Sequence, residues 1–467
     1  ILYLLGFFDR PASEGEISAL KAEPVIVGLT EAVAGLGEAR WNEALTALRD
    51  VGLLAGEDGE ESARLDAHPL VREHFGEALK SAQPEAWREG HRRLYVYLRG
   101  KDKELPETVE EMGPLYAAVV HGCRAGRNQE ALVEVFIKRI RRGAEAFSWK
   151  KLGTFGAEVA VLSAFFDPPW ERLTPGLTEL DQAYVLNEAG FALRALGRLP
   201  EAAGLIRVAV EKSIARRDWN NAARQAGTLS ELFLTRGELG EALTFAQQSV
   251  ELADKSGDAF LRIIDRTWLA DVLHQRGRPA EAAALFEEAE RLQKEWQPVY
   301  PRLYSLQGFQ YCDLLLEQGQ EAEVLARASF NLAQGWPEYS VLSIALDHLS
   351  LGRAHLRPAP RGAGADLPQA ATHLKQAVEG LRRASAQEFI SRGLLARAEL
   401  RLLRGDHPRA RADLDEALGI ATRSGMRLHQ TDAHLGYARL HLALPAPDPT
   451  QARAHLTEAR ALITATG

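Results

Sequence analysis

The sequence predicts a mainly α-helical chain: a small helical domain with a β-wing, then an α-solenoid of about seven repeats with a ~40-residue period. Three observations predict this. Alternating strand patterns are almost absent. Segments of about 12–18 residues with helical apolar spacing follow one another, broken by short Gly, Pro or Asp turns. And one unit recurs, visible in "LRALGRLPEAAGLIRVAVE", "FLTRGELGEALTFAQQSVE" and "LHQRGRPAEAAALFEEAE". Each copy has a helix, a glycine turn and an alanine-centred second helix.

Residues 1–80 differ in kind from the rest. "ILYLLGFFDRPASEGEISALK" reads as an apolar helix, a loop and a short helix. "WNEALTALRDVGLLAGEDGEESARLDAHPLVREHF" reads as a helix, a polar hairpin and a second helix that opens at His68-Pro69. Two short extended pieces around Glu57–Glu61 suit the wing of a winged-helix domain. Its tip carries Glu57, Asp58, Glu60 and Glu61, an acidic surface that argues against contact with DNA.

The pieces "LLGFFDRPA", "ALTALRDVGLL" and "LDAHPLVREHF" resemble the winged-helix domain of STAND (NB-ARC/NLR-like) signal-transduction NTPases. In that family the last motif carries a histidine at a helix start, which approaches the β-phosphate of ADP and holds the closed state. His68 matches that histidine. Ala67 stands where many members have methionine, and Pro69 where many have aspartate. A helix N-terminus suits an anion, so the resemblance implies a phosphate contact for His68. The plainer alternative is a capping histidine packed against the wing. The phosphate loop GxxxxGK[ST] is not in this sequence. ADP or ATP with Mg would therefore be held through an upstream NTPase domain, and this chain alone binds neither. The opening "ILYLLGFFDR" has no methionine and no basic n-region, and reads as an incomplete chain rather than a signal peptide.

Residues 81–180 read as a helical linker containing a degenerate helical pair. "LYAAVVHGCRAGRNQEALVEVFIKRI" has Gly126 at its turn, and "FFDPPWERLTPGLTE" is a proline-rich joint. The basic run "KRIRRGAEAFSWKK" reads as a solvated helix face, with phosphate contact the less favoured reading.

Residues 181–467 carry the repeats in three columns. The turn glycines Gly197, Gly237 and Gly277 are spaced by 40, Gly319 follows at 42, and Gly405 lies two periods on. Seven residues before each turn stands a small residue: Gly190, Ser230, Ala270, Cys312, Gly352, Ala398 and Gly436. After the turn comes alanine: Ala202, Ala242, Ala282, Ala410 and Ala452. Small residues at these points let antiparallel helices approach closely. The pattern resembles the tetratricopeptide repeat (TPR), whose usual period is about 34. The fifth repeat carries a loop-like insert, "RPAPRGAGADLPQ".

In TPR arrays the first helix of each pair lines a concave groove. The position after the small residue faces that groove in the family, and here it holds Phe191, Glu231, Asp271, Asp313, Arg353, Glu399 and Tyr437. One turn later come Arg194, Leu234, His274 and Leu316. The resemblance implies that Glu231, Asp271 and Asp313 form an acidic stripe, which would attract a basic protein or peptide. A solvated face is the open alternative, and Phe191, Tyr437 or the Arg361–Asp366 loop would then carry recognition.

The totals bound the rest. Lys plus Arg is 56 and Asp plus Glu is 64, for a net charge of -8, so no direct nucleic-acid or membrane partner is expected. Two cysteines support no disulfide framework, and a cytoplasmic setting is the expectation. HExxH, CxxC and GxSxG motifs are missing. His429, His434, His441 and His455 read as packing or surface groups, so no enzyme and no metal site are expected in this chain. The combined resemblance implies the sensor portion of a bacterial STAND NTPase, in transcriptional control or antiphage defence. Ligand binding would relieve autoinhibition and lead to homo-oligomerisation and effector activation. The alternatives are a free-standing TPR scaffold and a TPR-sensor transcriptional regulator.

Overall fold

A computed structural model describes residues 1–56, 64–101, 103–334, 339–357 and 367–466. The wing tip at Glu57–Glu61 and the Arg361–Asp366 loop lie outside the described residues. The chain forms two compact units, Ile1–Asp181 and Gln182–Gly467.

The first unit runs α1 (Leu2–Leu5), β1 (Ala12–Ser13), α2 (Glu14–Lys21), α3 (Glu38–Asp50), β2 (Arg64–Leu65), α4 (Pro69–Ala82), α5 (Pro84–Lys101) and α6 (Val109–Arg124). The short α7 (Asn128–Glu130), a π-helical stretch (Ala131–Arg141), α8 (Phe147–Lys150) and α9 (Phe155–Ser163) follow. Strand β1, which periodicity alone did not reveal, pairs antiparallel with β2, Ala12 opposite Leu65. Ser13 and Glu16 close a capping box that starts α2. The sequence motifs meet in space. A Cβ on Gly6 would lie 2.5 Å from the Gly76 backbone N, so α1 and α4 cross at a pair of glycines. Arg72 bonds Asp66 (2.5 Å) and the Asp9 carbonyl (3.1 Å), tying "LDAHPLVREHF" to the loop after α1. Packing continues across residue 80, because α4 and α2 both rest on α5.

The basic run is a solvated face only in part: Lys138, Lys150 and Lys151 are exposed, but its arginines are engaged. Arg139 donates to the Arg99, Lys103 and Glu104 carbonyls at 2.7–2.9 Å. Arg141 is buried beside Glu158. These guanidiniums tie chain segments together, because a buried charge must be paired to be tolerated.

The second unit is an all-α solenoid of consecutive antiparallel pairs. Among the described residues seven pairs follow one another: α10 (Glu179–Ala195) with α11 (Leu199–Ala215), α12 (Trp219–Thr235) with α13 (Leu239–Ser256), and α14 (Ala259–Gln275) with α15 (Pro279–Trp296). Then come α16 (Ser305–Glu317) with α17 (Glu321–Gln334), α18 (Val341–Leu356) with α19 (Leu367–Arg383), α20 (Gln387–Leu403) with α21 (His407–Ser424), and α22 (Arg427–Ala443) with α23 (Pro449–Thr466). Local chemistry sets the starts. Asp218, Asp258, Ser340 and Asp406 each accept an N–H from the first turn of the following helix. The small-residue column lies where first and second helices touch. Gly190 faces Ile206, Gly352 faces Leu374, and Ser230 Oγ donates to the Ala242 carbonyl at 2.8 Å.

First helices stack on first helices, from α12 through α14, α16, α18 and α20 to α22. The array then returns on itself, for α12 also packs on α22. Gly237 shows how close the return is. It takes φ of 74°, and a Cβ there would sit 2.5 Å from the Thr466 methyl and 3.0 Å from Arg427 Cβ. Gly197 abuts Ser424 in the same way. No helix among the described residues is long and apolar enough to cross a membrane.

Candidate ligand-binding site

The inner face of the second unit gathers ionisable residues that are far apart in sequence. Glu231 on α12, Asp271 on α14 and Asp313 on α16 do come together along the stacked first helices. They do not form a bare, exposed stripe. Glu231 is 7% exposed and Asp271 4%. Arg194 on α10 donates to Glu231 (2.9 Å) and, with its other nitrogen, to Glu388 on α20 (3.0 Å). Asp313 accepts from Arg353 on α18 (2.5 Å) and Arg392 on α20 (3.3 Å). Gln310 Nε2 donates to Glu231 (3.1 Å) and reaches Asp271 at 3.4 Å. Arginines from other repeats therefore fill the face that an open groove would leave to solvent. The physical reason is the return of the array, which encloses these acids.

The same enclosure sets their titration. Burial pushes the Glu231 carboxyl up to about 7, against the pull of Arg194. Burial raises Asp271 to about 6, and Arg392 offsets this only in part. Asp313 is buried too, yet the guanidiniums of Arg353 and Arg392 outweigh burial and hold it at about 2. Burial, then Arg392, presses the His429 imidazole down to about 3.

The other expected groove residues divide. Arg194 and Arg353 belong to this network. His274 is buried and bonds Glu317. Phe191 is half-buried on α10, and Glu399 is exposed on α20. Tyr437 is turned to a different neighbourhood: its hydroxyl donates to Asp415 on α21, and its ring stacks on His455 of α23 with centroids 4.7 Å apart. Sequence reasoning missed Gln310, Glu388, Arg392 and His429. Glu388 and Arg392 share a face of α20 at i, i+4, which was readable. Their partners, up to 194 residues away, were not.

Arg194, Glu231, Asp271, Gln310, Arg392 and His429 line a cavity of about 30 Å³, together with apolar side chains including Phe309 and Phe389. Among the described residues no group of three or more His, Cys, Asp and Glu is placed to hold a metal.

His68 in the first unit is exposed and caps α4, its Nδ1 accepting the Leu70 N–H at 3.3 Å. That geometry satisfies one of the free donors of the helix start.

No protein-family model matches the chain, and no curated protein does. Among solved structures, it is similar to the Rap conjugation gene regulator of the plasmid pLS20 in complex with the Phr* peptide. The TM-score is 0.51 at 10% identity, over 84% of this chain and 93% of that one. A Rap protein complexed with competence and sporulation factor gives 0.49 at 11% identity, over 84% and 97%. A STAND protein with a tetratricopeptide repeat sensor from Pyrococcus horikoshii gives 0.39 at 14% identity. That match covers 99% of this chain, which spans only 62% of the other protein. The first of these likenesses shows the fold, an all-α solenoid.

Proposed function

We propose that this chain is the sensor and regulatory portion of a STAND-type NTPase, and that its solenoid recognises a protein or peptide ligand. The observation that carries the reading is the closed inner face. Arg194–Glu388 and Arg392–Asp313 link repeats that are distant in sequence, over carboxylates that burial holds out of their ordinary range. Opening of this clasp is the proposed second state of the array. A ligand shifts that balance only if it binds the open state better. A peptide is the ligand class named for the Rap regulator, and the same class is proposed here. The motifs around His68 support the link to an NTPase. In the STAND reading, His68 adds a phosphate contact to its capping role, a winged helix spans residues 1–80, and opening permits ADP release, homo-oligomerisation and effector activation.

The test uses the chain together with the segment that precedes it. Glu388→Arg places two cations face to face at the clasp. The expected outcome is faster ADP release and ligand-independent oligomers by light scattering. A variant that keeps ADP and stays monomeric like wild type would contradict the reading.

A further inference from the structure

The cavity on the inner face has unbalanced hydrogen bonding. Four carboxylates lie in or beside it, Glu231, Asp271, Asp313 and Glu388, against three guanidiniums, Arg194, Arg353 and Arg392. Each carboxylate but Asp271 has a guanidinium at 3.3 Å or less. Among the described residues Asp271 has a hydrogen bond only from the Gln310 amide, at 3.4 Å. Asp271 Oδ1 and Gln310 Oε1 are both buried acceptors without a hydrogen-bond partner among the described residues, and both side chains line the cavity. Gln310 is 3% exposed. A buried acceptor left unpaired costs about 1–3 kcal/mol, and more when it is charged. A compact cation that carries N–H donors would satisfy both acceptors.

We propose that this cavity binds a primary ammonium group, with Asp271 Oδ1 and Gln310 Oε1 as its acceptors. Three features fit. An ammonium has three donors and no acceptor. It is close to a water molecule in size, and about 30 Å³ is room for one or two groups of that size. It brings a positive charge beside Asp271, the one of these four carboxylates with no guanidinium in contact. Thr235 and Leu306, on the cavity wall, are half-buried and leave a way in. The raised Asp271 carboxyl is consistent: an adjacent cation would draw it back toward ionisation. The ammonium belongs either to a lysine side chain of a larger ligand or to a free small amine. The inference deepens the sensor reading and rests on it only for the use of the site. Failure to bind an amine would leave the clasp, tested through Glu388, untouched.

The experiment is calorimetric titration of the full chain with ethylammonium chloride and with tetramethylammonium chloride at equal ionic strength. Ethylammonium should bind saturably; tetramethylammonium, with the same charge and no N–H, should not. Asp271→Asn should weaken ethylammonium at least tenfold. Nα-acetyl-lysine amide distinguishes the sources. Tighter binding than ethylammonium assigns the site to a lysine side chain, and weaker binding assigns it to a free amine. Equal heats from the two ammonium salts would overturn the proposal, as would Asp271→Asn binding at wild-type strength. Should that variant not fold, the wild type still decides. A cation in the cavity should draw the raised Asp271 and Glu231 carboxyls back toward ionisation, so ethylammonium binding at pH 6.5 should release protons, seen as a difference between buffers of unlike ionisation heat.

Discussion

Glu231 and Asp313 occupy equivalent positions two repeats apart, and their carboxyls sit at about 7 and about 2. Burial is common to both, so the difference lies in the cations. Asp313 is bonded by two guanidiniums, whereas Glu231 shares one, Arg194, with Glu388. The consequence for stability has a definite sign. The folded state raises Glu231 above its ordinary 4.5, so its contribution is fully present below that pH and is lost as pH rises through about 7. Going from pH 8 to pH 5 should therefore stabilise the wild type through this group, by at most about 3 kcal/mol. Asp271 acts in the same direction at lower pH, and His429, pressed down to about 3, acts against both below pH 6.5. Glu231→Gln isolates the group. Thermal midpoints followed from pH 8 to 5 should rise less in the variant than in wild type, and parallel curves would refute the assignment. The residue types of this stripe were legible in the sequence, because they recur at the repeat spacing. Their burial was not, since nothing local records that Arg194 meets Glu388 or that Arg392 meets Asp313.

At the scale of elements, the turn glycines separate two physical roles that the sequence column merges. Gly237 and Gly277 both take positive φ, 74° and 73°. Only Gly237 also faces the end of the array, at Thr466 and Arg427, while a Cβ on Gly277 would meet nothing within 4 Å. Alanine at either position carries the left-handed backbone penalty of about 1–2 kcal/mol. Gly237→Ala should cost about 1–3 kcal/mol more than Gly277→Ala in urea unfolding, through overpacking at the return contact. Equal costs would mean that the contact is slack. The helix pairs themselves were readable from the ~40-residue columns. Strand β1 was not: two residues are too few to show a period, and partners 51 and 53 positions on define it. The arginines of the basic run also misled, although its lysines are exposed as expected. A charged stretch at helical spacing looks solvated unless the carbonyls that receive Arg139 are known.

The second unit as a whole turns a one-dimensional repeat into a structure with long-range contacts. A solenoid is held mainly by neighbouring repeats. Here α12 also packs on α22, and charge pairs span the interior. Column spacing announces the solenoid but not its closure, because closure depends on small rotations summed over several repeats. That sum decides whether the inner face is an open groove or an enclosed charged cavity. It also makes the clasp a sensible control point, since few contacts hold the ends compared with those within each pair. The most direct measurement is the distance between spin labels at two exposed positions, Gln247 on α13 and Glu458 on α23, in the full chain. Wild type should give one narrow distribution. Glu388→Arg should lengthen and broaden it, and Glu388→Gln, which removes the charge pair without setting two cations face to face, should do so less. Identical distributions in all three proteins would contradict the claim that charge pairs hold the array closed.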